Sequence, residues 1–118
     1  MSTSSNKPLK LEVSREADSA VVKVSGSASM SEANRLRETL EQLAAEQMRV
    51  IVLDLREMDF ICSLGLGAII NGHLKCRHHQ GQIRLVEPVP PVRELLETTR
   101  LTKLFGIYDS VEQALAAT

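Results

Sequence analysis

Tryptophan is absent, and one tyrosine and two phenylalanines are the only aromatics besides histidine. So few flat faces argue against a base-stacking platform for single-stranded nucleic acid. Neither sign of charge dominates. Fourteen Lys and Arg stand against fifteen Asp and Glu, for a net charge of -1, which gives no bulk attraction to nucleic acid or to an anionic membrane. No run approaches the roughly 18 apolar residues of a membrane helix. Met1 to Pro8 has no apolar segment, so no secretory signal is expected, and the stretch reads as a short disordered tail ahead of a single domain over residues 9–118. The two cysteines, Cys62 and Cys76, make no disulfide framework and fit a reduced cytoplasm. Gly65-x-Gly67 lacks the third glycine of a dinucleotide fingerprint and the lysine of a phosphate loop, so no nucleotide motif is present.

What is there is ordinary for a globular domain: 43% hydrophobic and 25% charged residues in 118, enough for one core. Leu9 to Ser14 alternates and predicts an edge-type strand; Ala20 to Val24 predicts its hairpin partner, ended by Gly26. Ser29 and Glu32 have capping-box spacing. Ala33, Leu36, Leu40, Leu43 and Ala44 then recur at helical spacing. Arg49 to Leu55 predicts a central strand, and Leu66, Ile69, Ile70, His73, Leu74 and Arg77 the face of a second helix. Gln82 to Val86 predicts a strand. Pro91 suits the first turn of a third helix with Val92, Leu95, Leu96 and Thr99 inward. Ile107 and Tyr108 make a short last strand. Asp109 and Glu112 cap a final helix, with Val111, Ala114 and Leu115 inward. Two strands followed by α/β alternation give a small sheet with helices packed against it, and the strand–helix–strand order favours a right-handed crossover and a parallel pair.

The chain is organised around the stretch from Val50 to Gly67. The unalternating run Val50-Ile51-Val52-Leu53 suits a strand buried on both faces. A turn follows, flanked by Asp54 and Asp59, and a helix starts near Ser63. A serine there either caps orphan amides or carries a phosphate, since both are favoured at a helix start. Asp59-Phe60-Ile61-Cys62-Ser63-Leu64-Gly65-Leu66-Gly67 resembles the signature of the STAS family, the domain of bacterial anti-sigma factor antagonists, in which an apolar strand leads through Asp-Phe-Ile-Asp-Ser-Ser/Thr-Gly-Leu-Gly into a helix. Cys62 stands where that pattern has aspartate, and Leu64 where it has a small hydroxyl residue.

The resemblance implies an α/β domain of the STAS type and the work of an anti-sigma factor antagonist. Unphosphorylated, such a protein binds an anti-sigma factor that is also a serine kinase and so releases the sigma factor; phosphorylation, here at Ser63, reverses this. The implied partner surface centres on Cys62, Ser63, Leu64 and Gly65, with Asp59, Ser27, Ala28 and Ser29 nearby. ATP would belong to the kinase, and no cofactor belongs to this chain. The departures at Cys62 and Leu64 point to the alternative, a STAS module that does not switch, as a signalling scaffold or the small cytoplasmic subunit of a lipid-transport ABC system.

Each candidate also has a plainer reading. Asp54 and Asp59 can hydrogen-bond their own turn. Gly65 and Gly67 can permit tight helix–sheet packing. Cys62 is either a small, partly buried apolar residue or a thiol made reactive by the helix start. His73, Cys76, His78 and His79 include no second ligand pair elsewhere, so no zinc site is expected; His73 belongs to the apolar stripe and the other two histidines to a solvated helix end. Ser63 has no assignable His/Asp partners and no nucleophile elbow surrounds it, so the chain is not expected to be an enzyme.

Overall fold

Strand order and crossover hand decide where the helices of this protein lie. The computed structural model describes residues 8–117; of the expected tail, all but Pro8 lies outside the described residues. The elements follow one another as β1 (Lys10–Glu16), β2 (Ser19–Ala28), α1 (Ala33–Ala45), β3 (Val50–Ile61), α2 (Ser63–Arg77), β4 (Gln82–Val86), α3 (Pro90–Thr98), β5 (Gly106–Tyr108) and α4 (Val111–Ala116). The sheet order is β1-β2-β3-β4-β5. β1 and β2 form an antiparallel hairpin, and every later pair is parallel. Because the strands march one way across the sheet, right-handed crossovers put α1, α2 and α3 on the same face. Only α4, which follows the last strand, covers the other.

This arrangement explains the unalternating run in β3. Ile51, Leu53 and Leu55 pack beneath α1 to α3 with Leu36, Leu40 and Leu43. Val50 and Val52 face the opposite way, against Val86 and Ala114 of α4. α1 buries the five residues its spacing predicts, Ala33, Leu36, Leu40, Leu43 and Ala44, and β4 spans the expected residues.

Several boundaries differ from expectation. β3 does not stop at Leu55 but runs to Ile61, and Asp54 is therefore a strand residue, not a turn residue. Gly26 does not end β2. It sits inside the strand at φ 84, where glycine carries no steric penalty, and the β2–β3 register shifts on both sides of it. Ser29 does not cap α1: Glu32 holds the cap position without a side-chain bond, and the Ser29 hydroxyl lies 3.2 Å from that of Ser31. Asp109 does not cap α4, because the Ser110 hydroxyl accepts the Gln113 amide at 3.1 Å. On α2 the buried face is turned from the expected one. Leu66, Ile69 and His73 are buried as expected, but Ala68, Gly72 and Cys76 join them, whereas Leu74 and Arg77 are exposed. Thr99 likewise lies outside the α3 inner face.

The extension of β3 shapes the functional end. β4 pairs only with Val50 to Asp54, so Glu57 to Ile61 pair with β2 alone. A two-stranded ribbon thus projects past the rest of the sheet, to the point where α1 and α2 both begin.

Candidate functional site

The ribbon tip holds the start of α2 firmly. The Cys62 amide donates to the Ala28 carbonyl at 2.9 Å, and the Leu66 amide donates to the Cys62 carbonyl at 2.9 Å. Gly65 is buried against the tip; a Cβ there would stand 2.9 Å from Ile61 Cγ1 and 3.5 Å from Ala28 Cβ. Gly65 is therefore a packing residue, not an exposed contact. Gly67 has nothing within 4 Å of such a Cβ, so close approach does not explain it.

Cys62, not Ser63, is the N-cap of α2. It has extended backbone angles (φ -86, ψ 172), and its sulfur accepts the Gly65 amide at 3.4 Å. Ser63 is the first helical residue and is exposed; among the described residues its hydroxyl has no hydrogen-bond partner. The first turn of α2 contains no acidic residue. The side chain at this helix start is thus free to be modified, while the cap is made by its neighbour.

Ser27 and Ala28 lie beside Ser63 but are 4% and 0% exposed, so their side chains are not available as a contact surface. Ser29 is half-buried. Exposed instead are Met30 (71%), Phe60 (51%) and Leu64 (56%). Met30 was not legible as a site residue. It follows a strand that runs on past Gly26 to Ala28, and a lone methionine in a polar loop carries no periodic signal. Asp59 is exposed on β3, at the extra residue that β3 carries between the Gly26–Met58 and Ser27–Phe60 pairs. Bulges of this kind re-aim side chains at strand ends. Among the described residues Asp59 makes no local hydrogen bond.

Asp54 makes the local hydrogen bonds of its plainer reading, but inside β3 and not in a turn. Its carboxylate receives the Arg56 guanidinium at 2.9 and 2.7 Å and the Arg56 amide at 3.3 Å. These bonds hold it below the usual carboxylate range despite burial. His73 faces the core: Nδ1 accepts the Ile83 amide at 3.1 Å, and the ring meets Phe105 edge-on at 5.1 Å. Burial first, and then the Arg77 charge, push its pKa down. Burial also pushes the Cys76 thiol up. His79 lies 2.9 Å from the Met48 carbonyl. Among the described residues no three metal-ligating groups converge, and no helix is long and apolar enough to cross a membrane.

Known proteins are similar to this chain in sequence and fold. A family model described as the STAS domain matches residues 10–114. The anti-sigma F factor antagonist of Paenibacillus polymyxa is 28% identical over 108 residues, covering 91% of this chain and 92% of that protein. BtrV of Bordetella bronchiseptica, named a candidate anti-sigma factor antagonist, is 37% identical over 84 residues, covering 68% of this chain and 72% of that one. The crystal structure of an anti-sigma factor antagonist from Mycobacterium paratuberculosis superposes with a TM-score of 0.81 at 27% identity, covering 91% of both chains.

Proposed function

The chain belongs to the STAS domain family, and on that premise we propose that it is an anti-sigma factor antagonist switched by phosphorylation at Ser63. Unphosphorylated, it binds an anti-sigma factor that is also a serine kinase and so frees the sigma factor. It is a binding protein, not an enzyme, and acts in the cytoplasm; the ATP belongs to its partner. The observation that carries this reading is the exposed, unbonded Ser63 hydroxyl at the first position of α2, between exposed Phe60 and Leu64. Cys62, Ser63, Leu64, Asp59, Phe60 and Met30 form the contact surface. Gly65, Ser27, Ala28 and Ser29 shape it from beneath.

The physics of the switch follows from that placement. A phosphate adds about −1.5 to −2 charges at pH 7. In the free protein the open amides and dipole of α2 tolerate it, and no acid in the first turn opposes it. In a complex the same charge would enter an apolar interface at a cost of about a few kcal/mol. Phosphorylation then releases the partner without unfolding the domain.

Cys62 and Leu64, standing where the family pattern has aspartate and a small hydroxyl residue, support a second reading, a STAS module whose partner is held constitutively, as in a signalling scaffold or the small cytoplasmic subunit of a lipid-transport ABC system. One experiment separates the two. The native protein and Ser63→Glu are immobilised and offered a lysate of the cell of origin. The switch requires an ATP-binding anti-sigma factor retained by the native protein and lost by the variant, with melting temperatures nearly equal. Equal retention of one partner by both establishes the constitutive module.

A further inference from the structure

The sheet has one long bare edge. β1 is its outermost strand, and among the described residues no strand pairs with its outer side. The hairpin turn decides which backbone groups lie there. Glu16 and Ser19 stand opposite each other across a two-residue loop, so they exchange hydrogen bonds. Alternation along the ladder then turns the amides and carbonyls of Ser14, Glu12 and Lys10 toward β2, and those of Arg15, Val13 and Leu11 outward. Donors and acceptors are thus presented in a row, on a strand with neither proline nor bulge.

The side chains of this edge match their own image. Charge on an edge strand ordinarily discourages pairing, but β1 carries a cation, Lys10, at one end and an acid, Glu16, at the other. Two copies can pair antiparallel only about a residue whose backbone groups face outward, which leaves Leu11, Val13 and Arg15 as centres. About Arg15, like charges oppose each other. About Leu11, only Lys10 to Glu12 find strand opposite them. About Val13, the whole strand pairs. Lys10 then stands opposite Glu16 of the second copy, twice by symmetry, and Glu12 opposite Ser14. These are non-hydrogen-bonded pairs, where side chains come closest. Val13 meets Val13, and Leu11 lies against the stem of Arg15, whose guanidinium stays with Glu46 at 2.8 and 2.9 Å. Leu11 and Val13 are half-buried beside an open cleft of about 310 Å3 between β1 and α1, so the pairing covers apolar surface that one copy leaves open.

We propose that β1 pairs with β1 of a second copy of this chain, antiparallel and two-fold symmetric about Val13, joining the two five-stranded sheets into one. Such a contact uses the same surface on both copies and closes at a dimer. The start of β1 lies at the same end of the sheet as the ends of β2 and β3, which is where Ser63 sits. The two-fold therefore sends the two Ser63 residues to opposite ends of the joined sheet, and one dimer presents both.

Sedimentation equilibrium of the full chain, up to hundreds of micromolar, tests this. The native chain should be a dimer in reversible exchange with monomer. Lys10→Glu and Glu16→Lys each place like charges in both cross-strand pairs, and each should raise the dissociation constant about tenfold. Mixed in equal amounts, the two variants should dimerise with each other as tightly as the native chain, because the mixed dimer has opposite charges in both pairs. That rescue guards against loss by misfolding. Amide exchange should slow with rising concentration at Leu11, Val13 and Arg15, and stay constant at Glu12 and Ser14, which β2 already holds. A chain that is monomeric at every concentration leaves the edge to some other protein and overturns the inference. A dimer indifferent to both charge reversals, or variants that mixing does not rescue, overturns it as well.

Discussion

Cys62 Sγ lies 3.4 Å from the Gly65 amide nitrogen and caps α2, which leaves the neighbouring Ser63 hydroxyl outside the cap. A serine at a helix start is usually explained by capping, and here that explanation is already taken. Sulfur is also a weak acceptor.

Replacing the thiol by a carboxylate should therefore help the helix and hinder the phosphate. Cys62→Asp should raise stability by about 0.5–1 kcal/mol in urea unfolding, because a charged oxygen accepts better and complements the dipole. Cys62→Ala should lower it by less than that. In protein carrying phosphoserine at 63, the second pKa of the phosphate, read by phosphorus NMR, should be higher in Cys62→Asp than in the native chain. If Cys62→Asp is no more stable than the native protein, the thiol is not acting as the cap.

Gly65 and Gly67 should answer alanine substitution with opposite signs. At Gly65 the new Cβ meets Ile61 Cγ1 at 2.9 Å and Ala28 on its other side, so Gly65→Ala should cost about 1–3 kcal/mol. At Gly67 the Cβ enters open space on a helix, so Gly67→Ala should gain about 0.5–1 kcal/mol. Equal effects from the two variants would contradict the packing described for the tip of the ribbon.

Stability should fall as pH drops below about 6.5, through His73. Its Nδ1 accepts the Ile83 amide just short of where β5 pairing begins, at Arg84 opposite Gly106. Protonation breaks that bond and buries a cation. The folded pKa is thus pushed below the unfolded value of 6.5, the unfolded chain binds more protons, and stability is fully present only above the unfolded value. His73→Asn, which keeps an acceptor but does not titrate, should flatten this limb in denaturant melts from pH 7.5 to 5. A separate loss from Asp54, whose folded pKa lies below the usual 3.8, should begin only under about pH 4 and persist in the variant. An unchanged slope in His73→Asn would assign the limb to another group.

The sequence pattern is informative where burial alone decides structure and weaker where pairing or a single contact does. The α1 stripe is legible because Leu36, Leu40 and Leu43 face nothing but core. The end of β3 is not, because Arg56, Glu57 and Asp59 look like a turn and are held extended by β2 across two register shifts. The identity of the α2 cap turns on one sulfur–amide contact that no spacing rule contains. Arg84 is the extreme case. Sitting mid-strand in β4, it reads as a solvent-facing residue, yet it is 2% exposed. It donates to the Ala114 carbonyl at 2.6 Å, and its guanidinium lies 5.9 Å from the centre of the Tyr108 ring. The face it occupies is closed by α4, a six-residue helix whose position the pattern does not fix. The junction into α2 around Ser63 is legible because only Cys62 separates Ile61 from Ser63 in the chain and no distant pairing is needed to join them.

Met30 and Phe60 distinguish a contact surface from the scaffold beneath it. Both are largely exposed, so Met30→Ser and Phe60→Ser should each change stability by no more than about 0.5 kcal/mol. Ala28, paired with Ile61 at the ribbon tip and fully buried against Gly65, should behave in the reverse way. Ala28→Val adds volume to a packed tip and should cost about 1–3 kcal/mol. Binding should rank the three differently. With the anti-sigma factor captured by the native protein as the probe, Met30→Ser and Phe60→Ser should each weaken affinity at least fivefold while melting at the native temperature. Native-like affinity in both would move the contact surface away from the ribbon tip, and the exposed apolar side chains there would need another explanation.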